Sequence, residues 1–396
     1  MFHIKKVSQA AAAVVAAVCS VVMLEVGYYS SRIPDSIMGD GSLPSFSTAL
    51  PVSAVRNGCV AADISVRLFG SVPIKDIKED KVERPKLIAG GEAFGIKLIT
   101  DGVMIIDMKK LSGECPAAEA GLKVGDVIES VNGEEVYSNS QVSDLIKSSG
   151  GSECRVKYRR GEQQLECTVT PVLNEGCYRA GMWVRDSSAG IGTMTFIDPQ
   201  TGIFAGLGHS VCDADTHEPL PLSHGTISPV RINGLKKGAK GEPGQLMGEF
   251  SGGDCGELLL NCDGGVYGSV DSIPENGELY PLAFSYEVHP GEAYILTQTD
   301  SGEPRRFDIV IEEVSAPGSG HDLVISAADP KLIEEAGGIV QGMSGSPIIQ
   351  DGRLAGAVTH VFIDDPTGGY GIFAERMYKH SLAAGEEQQS AEEKAG

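Results

Sequence analysis

Near its C-terminus the chain reads Gly342-Met343-Ser344-Gly345-Ser346-Pro347. Glycines on both sides of a serine allow a tight backbone turn that leaves the serine hydroxyl exposed. Such a turn can also direct the amides of Gly342 and Ser344 at one point, as an oxyanion hole requires. Gly, Ser and Pro are equally common in ordinary surface turns, so the meaning of this hexapeptide depends on its surroundings.

The residues after Ser344 predict a β-hairpin. A short apolar run leads to Asp351-Gly352, and a second apolar run extends from Leu354 to Phe362. An Asp-Gly pair between apolar runs is typical of a hairpin turn. A serine loop followed by a hairpin resembles the C-terminal barrel of chymotrypsin-like peptidases, whose Gly-x-Ser-Gly-Gly-Pro loop is similar, with Ser346 here in place of the second glycine. The Gly-x-Ser-x-Gly elbow of α/β-hydrolases is not matched, because Ser346 stands at its last glycine position.

The composition narrows the class of protein. With 396 residues the chain has room for two or three domains. A net charge of -22 argues against a nucleic-acid partner, because no basic surface neutralises phosphates. The nine cysteines have irregular spacing without Cys-x-x-Cys, and no His-Glu-x-x-His occurs. The sequence therefore predicts no metal site and no cofactor, and it disfavours a disulfide between Cys255 and Cys262.

The N-terminus carries an export signal. Lys5 and Lys6 precede an apolar run from Ala10 to Leu24, and no Ala-x-Ala-like cleavage site follows. This favours an uncleaved signal anchor over a cleaved signal peptide, with the N-terminus in the cytoplasm and the remainder outside. Accordingly, residues 1–29 are predicted to be a cytoplasmic stub and anchor, and 30–83 a linker with short strands. Residues 383–396 are predicted to be a disordered acidic tail.

Residues 84–172 resemble the PDZ domain of bacterial envelope proteases, an α+β module. The resemblance rests on the run from Pro116 to Ile128, which contains Ala-Gly-Leu-x-x-Gly-Asp-x-Ile. It implies that the loop Phe94-Gly95-Ile96 offers amides to a peptide carboxylate, and that the strand from Ile96, paired with Gly102–Asp107, accepts the peptide. The helix from Asn139 to Lys147 would line this groove. The occupant would be a partner's C-terminus or a segment of the chain's own linker.

Residues 173–382 are predicted to form the peptidase domain, with a double β-barrel of the chymotrypsin-like type. The whole chain is therefore predicted to be a mainly β multidomain protein. A nucleophilic serine needs a general base. His209 follows a strand of small residues beginning at Phe204, and chymotrypsin-like enzymes place their histidine in a similar context. His360 competes for this role, although its strand borders the pocket for the residue before the scissile bond in those enzymes. We favour His209 as the base and assign His360 to the substrate pocket.

The third member of the site should be an acid that holds the imidazole tautomer. Asp329 precedes Ser344 by 15 residues and stands before Pro330. It is also a good N-cap for a following helix, which is a structural role. Other acids remain open at this point, namely Asp198, Asp213, Asp215 and Asp308.

The order of anchor, linker, PDZ domain and serine loop resembles the SpoIVB family of sporulation signalling peptidases. The matching segments are 66–70, 206–209, 337–347, 357–362 and 364–371, so the resemblance runs from about residue 60 to 378. It implies His209, Asp329 and Ser344 as the catalytic His, Asp and Ser. The assignment of Asp329 depends mainly on this resemblance.

The resemblance also implies a biological role. Members of the family are exported from the forespore into the space between the two spore membranes. There they cut themselves in the N-terminal region and then cleave a membrane-bound regulator, which frees an intramembrane protease to activate a sigma factor. Two other functions are weighed against this one: a general envelope quality-control protease of the HtrA type, which places its protease before the PDZ domain, and a non-catalytic PDZ scaffold.

The sequence also bears on substrate preference. Trypsin-like enzymes that prefer basic residues place an Asp six residues before the serine, where this chain has Gly338. A preference for Lys or Arg is therefore not expected.

Overall fold

The computed structural model describes residues 2–46, 50–56, 63–111, 113–315 and 321–395, so Cys59 and the neighbouring part of the predicted linker lie outside the described residues. The first elements are α1 (Phe2–Arg32), β1 (Ser36–Gly39), β2 (Val52–Arg56), β3 (Asp63–Leu68) and β4 (Val72–Lys81). The four strands form one sheet in the order β1-β4-β3-β2. Ile64, Val66 and Leu68 pack in its core against Tyr29 and Ile33. Much of the predicted linker is therefore a small folded domain, because its alternating apolar residues have a helix end to pack against.

Helix α1 contains Val14–Arg32, which is long and apolar enough to cross a membrane. It is the one helix of this kind among the described residues, and most of this stretch is exposed. At its C-terminal end, Val22, Val26 and Tyr29 pack against the small domain. An apolar N-terminal helix thus leads directly into folded protein.

The next elements begin a β-barrel and build the PDZ domain that is inserted into it. In chain order they are β5 (Lys86–Ala89), β6 (Ala93–Met108), α2 (Pro116–Glu119), β7 (Val127–Val131), β8 (Glu134–Glu135), α3 (Asn139–Ser148), β9 (Cys154–Arg160), β10 (Gln163–Val169), β11 (Val172–Asn174) and β12 (Cys177–Arg179). The C-terminal half of β6 opens the antiparallel sheet β6-β7-β9-β10. Val142 and Ile146 of α3 pack on its core. Helix α3 begins at the capping box of Ser138 and Gln141 and matches the predicted helix.

A first six-stranded barrel follows. Its further strands are β13 (Met182–Ile197), β14 (Ile203–Gly206), β15 (Leu222–Lys236), β16 (Gln245–Phe250), β17 (Gly256–Cys262), β18 (Gly265–Val270) and β19 (Leu279–Pro281). The ring runs β6-β15-β17-β18-β14-β13 and closes where β13 pairs with β6. Phe94, Ile96, Phe204 and Val266 fill its interior.

The PDZ domain is inserted into this barrel. Strands β6 and β13 are 16 residues long and belong to both units. Leu98 pairs with Ser188 inside the barrel, whereas Met104 pairs with Arg185 beside the PDZ sheet. The expected hairpin between the two halves of β6 is wrong: the chain continues through Gly102, and β13 is the partner of both halves. The predicted domain boundaries therefore shift, since the barrel begins at β5 and the start of β13 packs on the PDZ core.

The second barrel is a continuous stretch of chain. After a 3₁₀ turn at Ser285–Glu287, its elements are β20 (Gly291–Thr297), β21 (Arg305–Val314), β22 (Leu323–Ala327), α4 (Pro330–Ala336), β23 (Pro347–Gln350), β24 (Arg353–Val361) and β25 (Gly368–Phe373). The closed ring runs β20-β21-β22-β25-β24-β23. Asp351 and Gly352, both at positive φ, form the turn between β23 and β24, as predicted. With the first barrel, this confirms the predicted double-barrel fold.

The C-terminal tail is not disordered over the described residues. Helix α5 (Ala374–Ala395) leaves the second barrel after β25 and packs across β14, β17 and β18 of the first barrel. Met377 and Ala384 are fully buried on its inner face. The prediction of disorder failed because the charged residues of the tail follow an apolar helical face that begins well before residue 383.

Candidate active site

The serine loop lies between α4 and β23. Gly342 and Gly345 adopt φ of 99° and 97°. A Cβ on Gly345 would lie 1.9 Å from the carbonyl oxygen of Thr193, so the backbones of the two barrels touch here. Ser344 is half-buried, and its Oγ donates a hydrogen bond of 2.5 Å to the carbonyl of Thr359 on β24. The glycines of the motif thus serve a close approach as well as a turn.

Strand β13 fixes this loop from the first barrel. The Thr193 amide donates to the Ser344 carbonyl at 2.8 Å, and the Thr193 hydroxyl donates to the Gly342 carbonyl at 2.7 Å. The Thr195 hydroxyl donates to the Gly345 carbonyl at 2.7 Å. Both threonines are buried. Sequence reasoning missed them; the available signal was two threonines spaced by two, which places both side chains on one face of a strand.

The amides of the loop divide into two groups. Met343 N donates to the Val340 carbonyl and Gly345 N to the Val358 carbonyl. Within the described part of the chain, the amides of Gly342 and Ser344 have no hydrogen-bond acceptor. These are the two amides predicted for the oxyanion hole, and they remain available to a ligand.

His209 reaches the same junction from the first barrel. It follows a turn in which Leu207 and Gly208 have positive φ. A Cβ on Gly208 would lie 2.9 Å from Thr359 Cγ2 and 3.0 Å from Ile372 Cγ2, so this turn presses against the second barrel. His209 Nδ1 lies 2.8 Å from the Ser210 carbonyl, and burial lowers the pKa of the imidazole. His209 is therefore neutral near pH 7, as a general base must be.

His360 lies next to His209. The two ring centroids are 4.7 Å apart with an interplanar angle of 35°. Burial, with the charges of His209 and His321, lowers the pKa of His360 to about 4. His321 stacks on Tyr370. Thr359, which accepts the Ser344 hydroxyl, directly precedes His360, so Ser344 and the two histidines lie at the same junction between the barrels. Both histidine assignments stay predictions.

Asp329 is elsewhere engaged. It caps α4, with its Oδ1 accepting from the Lys331 amide at 2.8 Å, and its Oδ2 lies 3.4 Å from the Asp308 amide. Among the described residues no carboxylate is hydrogen-bonded to His209, and its Nδ1 lies against the Ser210 carbonyl instead. The structure therefore gives Asp329 the capping role, and its implied catalytic role stays a prediction.

The alternative acids have other partners. Asp213 and Asp215 form ion pairs with Arg185 of β13, and Asp308 pairs with Arg306. Asp198 accepts from the Gln200 amide in the turn after β13. The Arg185 pairs tie β13 to the loop that follows His209.

The prediction that the loop Phe94-Gly95-Ile96 binds a peptide is wrong. It lies inside β6, where Phe94 pairs with Gly192 and Pro229, and Ile96 with Gly190 and Ile227. The Phe250 ring also covers Gly95. With both edges paired, this segment has no free edge for a peptide strand.

The groove beside α3 is bordered on its other side by a segment other than the predicted Phe94 loop. A cavity of about 500 Å³ lies between α3 and the segment Ala180–Val184, with Lys109, Lys110 and Arg179 at its border. The first residues of β13 pair with β6 along one edge of the strand. Their opposite edge pairs with no other strand among the described residues. Sequence reasoning missed this segment, although Ala180-Gly181-Met182 places a glycine before a strand as the Phe94 segment does.

Comparison with known proteins agrees with this architecture. Residues 176–378 match the family model described as SpoIVB peptidase S55, and residues 112–160 match a PDZ domain. The serine protease HTRA1 of Xenopus tropicalis is 36% identical over 98 residues, covering 25% of this chain and 18% of that protein. The regulator of sigma-W protease RasP of Bacillus subtilis is 42% identical over 116 residues, 26% of each chain. The chain thus spans about a quarter or less of these relatives.

Solved structures are similar over parts of the chain. The PDZ domain of an SdrC-like protein from Listeria monocytogenes has a TM-score of 0.19 at 24% identity, covering 21% of this chain and 87% of that one. The active form of the Rv3671c protease from M. tuberculosis has a TM-score of 0.30 at 17% identity, covering 50% and 74%.

Proposed function

The chain belongs to the SpoIVB peptidase S55 family, and on that premise we propose that it is a serine endopeptidase with Ser344 as nucleophile and His209 as general base. The observation that carries the proposal is the junction between the barrels. There, among the described residues, the amides of Gly342 and Ser344 have no acceptor, and the neutral imidazole of His209 lies beside His360, the residue after the one that accepts the Ser344 hydroxyl. Peptide hydrolysis through an acyl-enzyme needs these three elements.

The geometry suggests how the reaction begins. In this structure the Ser344 hydroxyl donates to the Thr359 carbonyl, so it must turn from that acceptor towards an imidazole before it attacks. Neutral His209 then accepts the hydroxyl proton as Oγ bonds to the scissile carbonyl carbon, and the amides of Gly342 and Ser344 receive the oxyanion. The imidazolium next protonates the leaving amine, and water attack on the ester regenerates Ser344.

The orientation of His209 depends on Nδ1. The Ser210 carbonyl accepts from Nδ1–H in the tautomer that leaves Nε2 free as the base. A carbonyl can fix the tautomer, but it stabilises an imidazolium less than a carboxylate does. Asp329 as the family-implied acid is therefore the least supported member of the site.

Substrate preference is proposed to exclude Lys and Arg. Gly338, six residues before Ser344, has φ of 127°. A Cβ there would lie 2.3 Å from the Pro366 carbonyl oxygen, so a side chain does not fit. An acidic group that binds Lys or Arg in this pocket would have to come from a residue other than 338.

We infer the physiological role from the resemblance to the family. We place the enzyme between the forespore membranes, anchored at first by α1, where it cuts its own N-terminal region and then a membrane-anchored regulator of an intramembrane protease. The exposed apolar Val14–Arg32 supports an anchor. The groove between α3 and Ala180–Val184 is proposed to hold a peptide, either from a partner or from the chain's own N-terminal segment. Its basic border suits a carboxylate.

The test is self-cleavage of the full chain. Wild-type protein and Ser344→Ala are purified in parallel and followed by mass spectrometry, with Ser346→Ala as the matched control in the same loop. Wild type and Ser346→Ala should lose N-terminal fragments while Ser344→Ala stays whole. Two outcomes contradict the proposal. One is that Ser344→Ala cuts itself as wild type does; the other is that no variant cuts either itself or added peptide substrates.

A further inference from the structure

A second cluster of reactive side chains lies where α5 crosses the first barrel. Strand β17 ends at Cys262 and β18 begins at Gly265, so Asp263-Gly264 forms the turn between them. The Cys262 sulfur, an Asp263 carboxylate oxygen and a His380 ring nitrogen all lie within 4.8 Å of one another. No other group of three His, Cys, Asp or Glu ligands meets this distance within the described ranges.

Tyr267 and His380 pack against the Asp263-Gly264 turn. The Tyr267 hydroxyl donates to the Gly264 carbonyl at 2.8 Å, and the Tyr267 and His380 rings lie 5.8 Å apart. A Cβ on Gly264 would lie 2.7 Å from His380 Cδ2 and 3.0 Å from Nε2. The imidazole therefore rests directly on the turn, and glycine is the residue that permits this contact.

The cluster has a cation at its edge. Arg376, one helical turn before His380 on α5, bonds Asp263 Oδ2 at 2.5 Å. This contact orients the carboxylate and leaves Oδ1 for another ligand. Hydrogen bonding to a ligating carboxylate is a common outer contact of metal sites. Because Arg376 already offsets the Asp263 carboxylate, a Cys262 thiolate is the negative charge of the cluster that a bound divalent cation would offset.

The ligand types indicate which ion fits. Thiolate sulfur, imidazole nitrogen and carboxylate oxygen are the three donors that Zn²⁺ takes in proteins, usually in tetrahedral geometry. Magnesium and calcium prefer oxygen ligands and are disfavoured by the sulfur. We propose that Cys262, Asp263 and His380 form a zinc site that ties α5 to the β17–β18 turn, with water as the fourth ligand.

The position of the site gives it a consequence for the fold. Helix α5 follows β25 of the second barrel, so an ion at His380 links the two barrels through this helix. The turn also contacts the segment before His209, since a Cβ on Gly265 would lie 2.6 Å from the Gly206 carbonyl oxygen and 3.2 Å from Gly208 N. The zinc site stabilises the packing of α5, and zinc binding can be tested without the proposed peptidase activity.

The experiment uses the full chain carrying Ser344→Ala, so that self-cleavage does not change the sample. Protein stripped with a chelator is titrated with Zn²⁺, and separately with Co²⁺ to detect thiolate-to-cobalt charge-transfer absorption. Cys262→Ser and His380→Gln remove one ligand each. The matched controls are Cys255→Ser, a half-buried thiol just before β17, and His289→Gln, a half-buried histidine just before β20.

The expected result is one Zn²⁺ per chain and a higher thermal midpoint on adding zinc to the parent protein and both controls. Affinity should fall at least about tenfold in Cys262→Ser and His380→Gln, and the cobalt–thiolate band should disappear in Cys262→Ser. The proposal is overturned if the parent binds no stoichiometric zinc, or if the two ligand variants bind and respond as the controls do. Zinc binding is measured first on the parent protein, so a variant that folds poorly cannot save the proposal if the parent binds no zinc.

Discussion

The two barrels hold one reactive group each but are built differently. The second barrel is a continuous stretch, Gly291–Phe373, and it carries Ser344 next to a hairpin. The first barrel is interrupted between β6 and β13 by the whole PDZ domain, and it carries His209. The continuous barrel presents its proposed nucleophile through local turns, whereas the interrupted barrel joins the proposed peptide groove and the proposed active site in one strand, β13. Its start borders the groove, and Thr193 and Thr195 near its end hold the Ser344 loop.

The largest effect should come from the histidine of the first barrel. His209→Ala removes the base and should lower kcat by about 10²–10⁴-fold. His360→Ala, at the edge of the second barrel, should raise KM and leave kcat nearly unchanged if it lines the substrate pocket. Steady-state kinetics on a cleaved peptide compares the two variants. Full activity in His209→Ala with loss in His360→Ala would exchange their roles.

This comparison explains what the sequence predicts well. The Ser344 loop, the Asp351-Gly352 turn and α3 are encoded by neighbouring residues, so their patterns identify them. Pairing between β6 and β13 joins residues 74 to 100 positions apart, whereas the Asp101-Gly102 pair looks locally like a hairpin turn. The Phe94 segment is assigned to the PDZ groove on the PDZ resemblance, and its pairing with distant β13 leaves no local signal that could correct this assignment. The capping contact of Asp329 is visible in the sequence. The spacing of Thr193 and Thr195 places both side chains on one face of a strand, but it does not identify the loop of the other barrel that they contact.

The contact between the barrels should also be measurable at Thr195. Thr195→Val keeps the shape of the side chain but leaves the buried Gly345 carbonyl without its hydroxyl partner, which should cost about 1–3 kcal/mol of unfolding free energy. A looser Ser344 loop should lower kcat more than it changes KM. Thr168→Val, at an exposed position of β10, is the matched control. Equal stability and kcat in the two variants would show that β13 does not hold the loop.

The pH profile tests the burial of His209. The active base is neutral, and burial lowers its pKa below the ordinary histidine value of about 6.5. Activity should therefore persist below about pH 6.5 and fall only as the pH drops through the lowered pKa. A kcat/KM profile of wild type measures this limb. An acid limb at or above the ordinary value would mean that His209 is solvated in the free enzyme, and the junction between the barrels would be more open than described.

The smallest effect is expected at the N-cap of α4. Asparagine caps helices as well as aspartate does, so Asp329→Asn should keep stability, whereas Asp329→Ala should cost about 1 kcal/mol. Because the Asp329 carboxylate contacts amides rather than His209, we expect Asp329→Asn to retain most of the activity. Thermal unfolding and self-cleavage are measured on both variants. A stable but inactive Asp329→Asn would instead establish the acid implied by the family and require a different active arrangement.

The most direct measurement is covalent labelling of the nucleophile. The full chain is treated with a fluorophosphonate, and the modified residue is mapped by peptide mass spectrometry in wild type, His209→Ala and Ser344→Ala. The structure predicts one adduct, on Ser344, formed much more slowly in His209→Ala and absent in Ser344→Ala. An adduct on Ser346, no adduct at all, or equal labelling rates in wild type and His209→Ala would contradict a peptidase site built between the two barrels.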